Sequence, residues 1–217
     1  MSLKLRRARV SDAESFFLVK KSLPMPLESN ETAHGGFLLG TNIETYRFLI
    51  ENAYTNLLEK DEKIVGFAII LPDVLLRNSE IWQRKDQIRW ENFAVEKFEN
   101  EQLCYFEQLA VLPNAEYRFF GVALAYLTLK QAFEHHESMF ATIVKKPIFN
   151  QASISFLENI GGEYVGTVDE FLPEFGNLVS KVYFVDREIF NATTARHRIM
   201  KKLEKQIKAI NNDIQTR

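Results

Sequence analysis

Tyr105-Phe-Glu-Gln-Leu-Ala-Val-Leu-Pro113, continued by Asn114-Ala-Glu-Tyr-Arg-Phe-Phe-Gly-Val-Ala123 and an apolar tail to Phe133, is the stretch on which the fold turns. Its first half alternates and is rich in aromatic and β-branched residues, which predicts a strand ended by Pro113. The second half is expected to form a tight turn through Arg118 and then a helix from Gly121 to His135. A helix head has N–H groups without intrahelical acceptors and a partly positive dipole end, so it suits an anion such as a pyrophosphate. Gly121 and Ala123 leave the backbone accessible there, and Arg118 offers a permanent charge with donors matched to phosphate oxygens.

Outward from this stretch, the 217 residues, 46% of them hydrophobic, suffice for one substantial core. The 27 basic and 29 acidic residues nearly balance, at a formal charge of -2, so the composition points to neither nucleic acid nor an anionic membrane. Cys104 is the single cysteine, which excludes an internal disulfide and every multi-cysteine metal motif. No secretory signal or membrane-spanning run is read, and the expected location is cytoplasmic.

Upstream, Leu3 to Val10 alternates as a strand. Ser11 with Glu14 reads as a capping box opening a helix through about Lys21, and Thr41 with Glu44 as a second one opening a helix from Ile43 to Asn52. Thr55 to Glu59 and Ile64 to Leu71 are expected strands of a hairpin across the charged segment 60–63. Asp73 to Gln102, with Trp82 and Trp90, reads as an insertion with helical content around Ile81 to Phe98. Cys104 to Leu112 is the fourth strand. Met139 to Lys145 is a fifth, Ser153 to Ile160 a helix ended by Gly161-Gly162, and Glu163 to Val168 and Val179 to Val185 are the last two strands. The expectation is an α/β protein with a mixed sheet and helices on both faces.

Arg118-x-x-Gly121-x-Ala123 after a Leu-Ala-Val strand resembles the coenzyme A signature of the GNAT acyltransferases, the N-acetyltransferase superfamily. Asn150-x-x-Ser153-x-x-Phe156-Leu157-Glu158-Asn159-Ile160-Gly161 is similar to that family's later Asn-x-x-Ala-x-x-Leu-Tyr-Glu-Lys-Leu-Gly segment. The resemblance covers roughly Leu3 to Asp186 and implies a central twisted, mostly antiparallel sheet flanked by helices. It makes residues 1–186 the acyltransferase domain, with the insertion at 73–102, and leaves 187–217 as a carboxyl-terminal helical extension.

The resemblance further implies acyl transfer from acetyl-CoA or another acyl-CoA to an amine by direct attack, with no metal. The backbone of Leu109, Ala110 and Val111 would pair with the pantetheine arm. The loop Arg118, Phe119, Phe120, Gly121, Val122, Ala123 and Leu124 would wrap the pyrophosphate, with Asn150 and Ser153 on the other side. Position 119, usually glycine, is phenylalanine here, and the link from Pro113 to Tyr117 is long.

Such a transfer needs a neutral nitrogen and a stabilised thiolate, hence a base and a proton donor. Glu107 is the candidate base, expected from alternation to share one strand face with Tyr105, Leu109 and Val111. The family's tyrosine donor falls on Leu157, which carries no proton; Tyr164, Tyr126 or water are the alternatives.

Other polar groups read as structural. The adjacent His135 and His136 cannot share a helix face as metal ligands must, Cys104 reads as a small buried hydrophobe, and His34 lies in a loop that faces substrate in relatives. Met200, Leu203, Ile207, Ile210 and Ile214 form a heptad seam in the tail, consistent with a homodimer contact. Two other functions stay open beside the acyltransferase: a CoA-binding sensor or scaffold that has lost catalysis, and an interaction protein built around the tail and the tryptophan-bearing insertion.

Overall fold

A computed structural model describes residues 3–24, 37–38, 40–173 and 176–196. The strands are β1 (Leu3–Arg7), β2 (Tyr54–Lys60), β3 (Lys63–Leu71), β4 (Arg89–Trp90), β5 (Leu103–Val111), β6 (Ser138–Lys146), β7 (Glu163–Leu172) and β8 (Gly176–Asp186). They form one eight-stranded sheet in the order β1-β2-β3-β5-β6-β8-β7-β4. Every pairing is antiparallel except β5 with β6. The helices are α1 (Ala13–Lys21), α2 (Ile43–Asn52), α3 (Asp73–Arg77), α4 (Glu80–Gln83), α5 (Ala115–Ala132), α6 (Gln151–Asn159) and α7 (Arg187–Arg196). The expected mixed sheet with helices on both faces is present.

One face carries α5, α6 and α7, packed over Leu58, Ala68, Ile70 and Cys104 through Leu124, Leu129, Leu157 and Phe190. The other carries α1, α2 and the segment after β3, over Leu57, Phe67, Ile69 and Tyr105. β3 is therefore buried on both faces, and its run Ile64-Val-Gly-Phe-Ala-Ile-Ile-Leu71 is apolar almost throughout rather than alternating. Phe16 stacks on Phe67 at 4.1 Å and Tyr46 meets both edge-on, which fixes α1 and α2 on the sheet.

Several local expectations are corrected. α1 is not opened by Ser11 and Glu14: a short 3-10 turn at Val10–Asp12 precedes it, and the Asp12 carboxylate accepts the Arg9 N–H at 2.7 Å. The same carboxylate takes two bonds from the Arg6 guanidinium, at 2.7 and 3.0 Å, and is thereby committed to β1. α2 is capped by Asn42, which accepts the Thr45 N–H, while Thr41 turns inward to Gln108. The β2–β3 hairpin closes on two residues, Asp61 and Glu62, both at positive φ as a tight hairpin demands.

The segment 73–102 has the expected helical content, in short pieces. It breaks into α3, α4, two 3-10 turns and β4, crosses the α1/α2 face and pairs with β7 at the far edge of the sheet. Asp73 anchors it by accepting the Leu103 N–H at 3.0 Å, and Arg77 bridges Asp73 to the Phe98 and Glu101 carbonyls. α6 ends at Gly161-Gly162 as expected, with Gly162 N–H bonded to Leu157 O at 2.8 Å and Gly161 at φ 91°. α7 docks Phe190 beneath Tyr126 and Phe133. The heptad seam from Met200 to Ile214 and the loop around His34 lie outside the described residues.

Candidate active site

The site is made by two neighbouring strands that part. β5 and β6 pair only over Leu103–Tyr105 and Ser138–Phe140. Beyond these residues β5 keeps β3 as its one partner and β6 keeps β8. The facing edges of Phe106–Val111 and 141–146 therefore diverge into a wedge open in the middle of the sheet. A cavity of about 330 Å³ fills it, walled by Leu109 and Val111 on β5, Thr142 and Val144 on β6, Gly121 and Val122 on α5, and Asn150, Ser153 and Leu157 at α6. Phe37 and Leu38, in the connection before α2, line the same cavity.

A β-bulge sits at the point of divergence. Ile69 pairs with Gln108 and Ile70 with Phe106, which leaves Glu107 as the extra residue. The bulge reverses the alternation of β5. Cys104 and Phe106 face α5 and α6 before it, and so does Leu109 after it; Tyr105 and Ala110 face the opposite core. Tyr105, Glu107, Leu109 and Val111 thus do not share a face as strict alternation predicts, because the inserted residue shifts the pleat by one.

Glu107 lines the cavity, half-buried by solvent exposure. Among the described residues no donor hydrogen-bonds its carboxylate. Burial, followed by the nearby Glu170 carboxylate, pushes its pKa up to about 7. Glu170 is held in place by the Ser180 hydroxyl at 3.1 Å and by Arg84 at 3.4 Å. Next to Glu107, the buried Gln108 side chain is fully committed: its Oε1 accepts from the Tyr46 hydroxyl at 3.0 Å and its Nε2 donates to Thr41 Oγ1 at 2.8 Å. That bridge ties the bulge to the start of α2.

The expected turn at Arg118 to Ala123 is helical. α5 begins at Ala115, because Asn114 is followed by good helix formers and the Tyr117 N–H closes on Asn114 O at 3.0 Å. A helix start leaves amides without intrahelical acceptors, and Pro113 and Asn114, just before α5, line the cavity. Gly121 is in the helix body, where it meets β5: a Cβ there would lie 2.9 Å from Val111 Cγ2.

The other expected site residues divide. Leu109, Val111, Gly121, Val122, Asn150 and Ser153 reach the cavity. Ala110, Ala123 and Leu124 are core residues, and Phe119 and Phe120 form an edge-to-face pair packed against the α5/α6 core. Arg118 is the fourth residue of α5. Asn150 also caps α6, accepting the Ser153 N–H at 3.3 Å.

Neither alternative proton donor lines the cavity: Tyr126 packs on Phe190, and Tyr164, on β7 two strands beyond β6, donates to Glu91 at 2.6 Å. Cys104 is buried with its thiol pushed up by desolvation. His136 is buried too, its Nδ1 facing Ala132 O at 2.8 Å and its Nε2 accepting the Asp73 N–H at 3.2 Å. Among the described residues no group of acidic, histidine and cysteine side chains is arranged to hold a metal ion, and no helix is long and apolar enough to cross a membrane. Sequence reading missed the β6 wall, Thr142 and Val144, and the Gln108 bridge; nothing in the sequence pairs these segments.

The mostly antiparallel mixed sheet flanked by helices is shared with solved N-acetyltransferases, a GNAT-family acetyltransferase among them, and this chain has the GNAT fold. Among solved structures it is similar to Arabidopsis thaliana NAA60 in complex with acetyl-CoA, at a TM-score of 0.61 and 14% identity over 86% of this chain and 99% of that one. It is also similar to a GNAT-family acetyltransferase from Streptococcus pneumoniae (TM-score 0.54, 18% identity, 85% and 99% covered). The ribosomal-protein-S18-alanine N-acetyltransferase from Escherichia coli is another neighbour (TM-score 0.56, 12% identity, 85% and 93% covered). No protein-family model and no curated protein matches the sequence.

Proposed function

We propose that this protein is an N-acyltransferase that moves an acetyl or other short acyl group from acyl-CoA to a primary amine. The observation that carries the reading is the wedge between β5 and β6, with the one acidic side chain among the described residues of its lining, Glu107, on a bulge where the strands part. The unpartnered edge of Leu109–Val111 offers backbone groups to an extended pantetheine arm, as an added strand would. The first-turn amides of α5 suit the pyrophosphate, and Asn150 and Ser153 close the opposite wall. The amine enters from the side of Phe37, Leu38 and Glu107, and Glu107 takes its proton.

Neighbours of this fold are named for peptide and small-amine acceptors, among them a ribosomal-protein alanine and agmatine, and these define the first panel to try. Calorimetry with acetyl-CoA followed by thiol release over that panel tests the reading; micromolar binding and turnover with at least one amine are expected. Failure of acetyl-CoA to bind refutes it. Leu157, lining the cavity where a tyrosine would donate a proton, favours a second reading, a CoA-binding sensor. Binding without turnover of any amine would select that one.

A further inference from the structure

We infer that Glu107 serves the transfer twice, as the base that frees the attacking nitrogen and as the acid that protonates the departing sulfur. The inference rests on the acyltransferase reading and goes beyond it, because that reading asks of Glu107 the first step alone.

The composition of the cavity carries the argument. Glu107 is the single titratable side chain among the described residues that line it. Leu157 brings no proton. Thr142 presents a hydroxyl bonded to the buried Tyr105 hydroxyl at 2.5 Å, but an alcohol is far less acidic than the thiol that must be formed. Tyr46 is the other phenol nearby, and its proton is given to Gln108. Desolvation pushes both phenols further from donation.

The groups facing Glu107 are Tyr46 from α2, Tyr105 from its own strand and Glu170 from β7, which Arg84 of the insertion holds. This surrounding keeps its carboxyl near the midpoint of ionisation at neutral pH, where a group both takes and gives a proton.

The step balances. The ammonium passes one proton to the Glu107 carboxylate, and the freed lone pair forms the N–C bond. As the C–S bond breaks its electron pair stays on sulfur, and Glu107 returns the proton there. The second proton, shed by nitrogen as the amide forms, goes to the regenerated carboxylate and then to solvent. One proton is released per turnover and Glu107 ends ionised.

The test removes each duty from the substrate side. Methoxyamine, neutral at assay pH, replaces agmatine and needs no base; acetyl-CoA with selenium in place of sulfur needs no acid, since a selenolate leaves unprotonated. Glu107→Gln should lower kcat/KM by about a hundredfold or more with agmatine and acetyl-CoA. Either replacement alone should recover part of that loss, and the two together should bring the variant to within about threefold of the unmodified protein. Full recovery with methoxyamine alone would overturn the acid role and leave the acyltransferase reading intact, whereas no loss in any combination removes Glu107 from the reaction.

A measurement independent of any acceptor is the carbon-13 titration of the Glu107 carboxyl in CoA-bound protein, assigned by its disappearance in Glu107→Gln. A midpoint of about 7 is expected, and one below about 5, the range of an ordinary carboxyl, overturns the inference.

Discussion

Replacing Gly121 with alanine separates the two reasons a glycine can stand in this motif. A Cβ at Gly121 would sit 2.9 Å from Val111 Cγ2, 3.6 Å from its Cβ and 3.8 Å from its Cγ1. Val111 cannot turn that methyl away freely, because β-branched side chains are stiff. Forcing the contact costs roughly 1–3 kcal/mol of overpacking. Against this, alanine gains about 1 kcal/mol over glycine inside a helix. Gly121→Ala should therefore lose between about 0 and 2 kcal/mol in the unmodified background.

In a Val111→Ala background the nearest remaining atom is the Cβ at 3.6 Å, an ordinary contact. There the same change should stabilise by about 1 kcal/mol. The coupling between the sites is thus roughly 1–3 kcal/mol, read from urea unfolding of the four proteins in a double-mutant cycle. An identical effect of Gly121→Ala in both backgrounds would refute the reasoning that Val111 dictates the glycine.

Three more outcomes follow from the same geometry. Gln108→Leu leaves the buried Tyr46 hydroxyl without its acceptor and should cost about 1–3 kcal/mol in urea unfolding; a loss near zero would mean the bridge to α2 is idle. Glu170→Gln removes the second carboxylate that raises Glu107, so the acidic limb of kcat/KM should move to lower pH, and an unmoved limb would show the two do not interact. His136 is held neutral, burial lowering its affinity for a proton, so the unfolded chain binds more protons once pH falls below about 6.5. Its contribution to stability is complete above that pH and lost as pH falls toward the lowered folded value; His136→Gln should flatten this dependence of the unfolding midpoint.

Much of the chain was legible because its signals are local. The strand and helix order, the span of α2 and the Gly161-Gly162 end of α6 follow from periodicity and terminus chemistry that act within a few residues, whereas α6 starts at Gln151 under an Asn150 cap, two residues before the expected Ser153. The errors were local too where two signals compete. Ser11 and Glu14 resemble a capping box, but Asp12 satisfies Arg6 and the Arg9 amide instead. At α5 the glycine at 121 suggests a turn, while the helix formers after Asn114 start the helix six residues earlier.

By itself the sequence determined that there is a strand carrying Glu107, a helix after it and a further helix ended by Gly161-Gly162, since hydrophobic period and terminus chemistry are properties of neighbouring residues. Only the tertiary structure decided that these make a site. The parting of β5 from β6, the β6 wall at Thr142 and Val144, the Glu170 carboxylate near Glu107, and the Gln108 bridge to Tyr46 join segments far apart in the chain, and strand pairing at that distance leaves no mark on local pattern. The bulge shows this best. One unpaired residue in β5, visible in its register against β3, reverses the faces of the strand and sets Glu107 at the apex of the wedge, where the strands part.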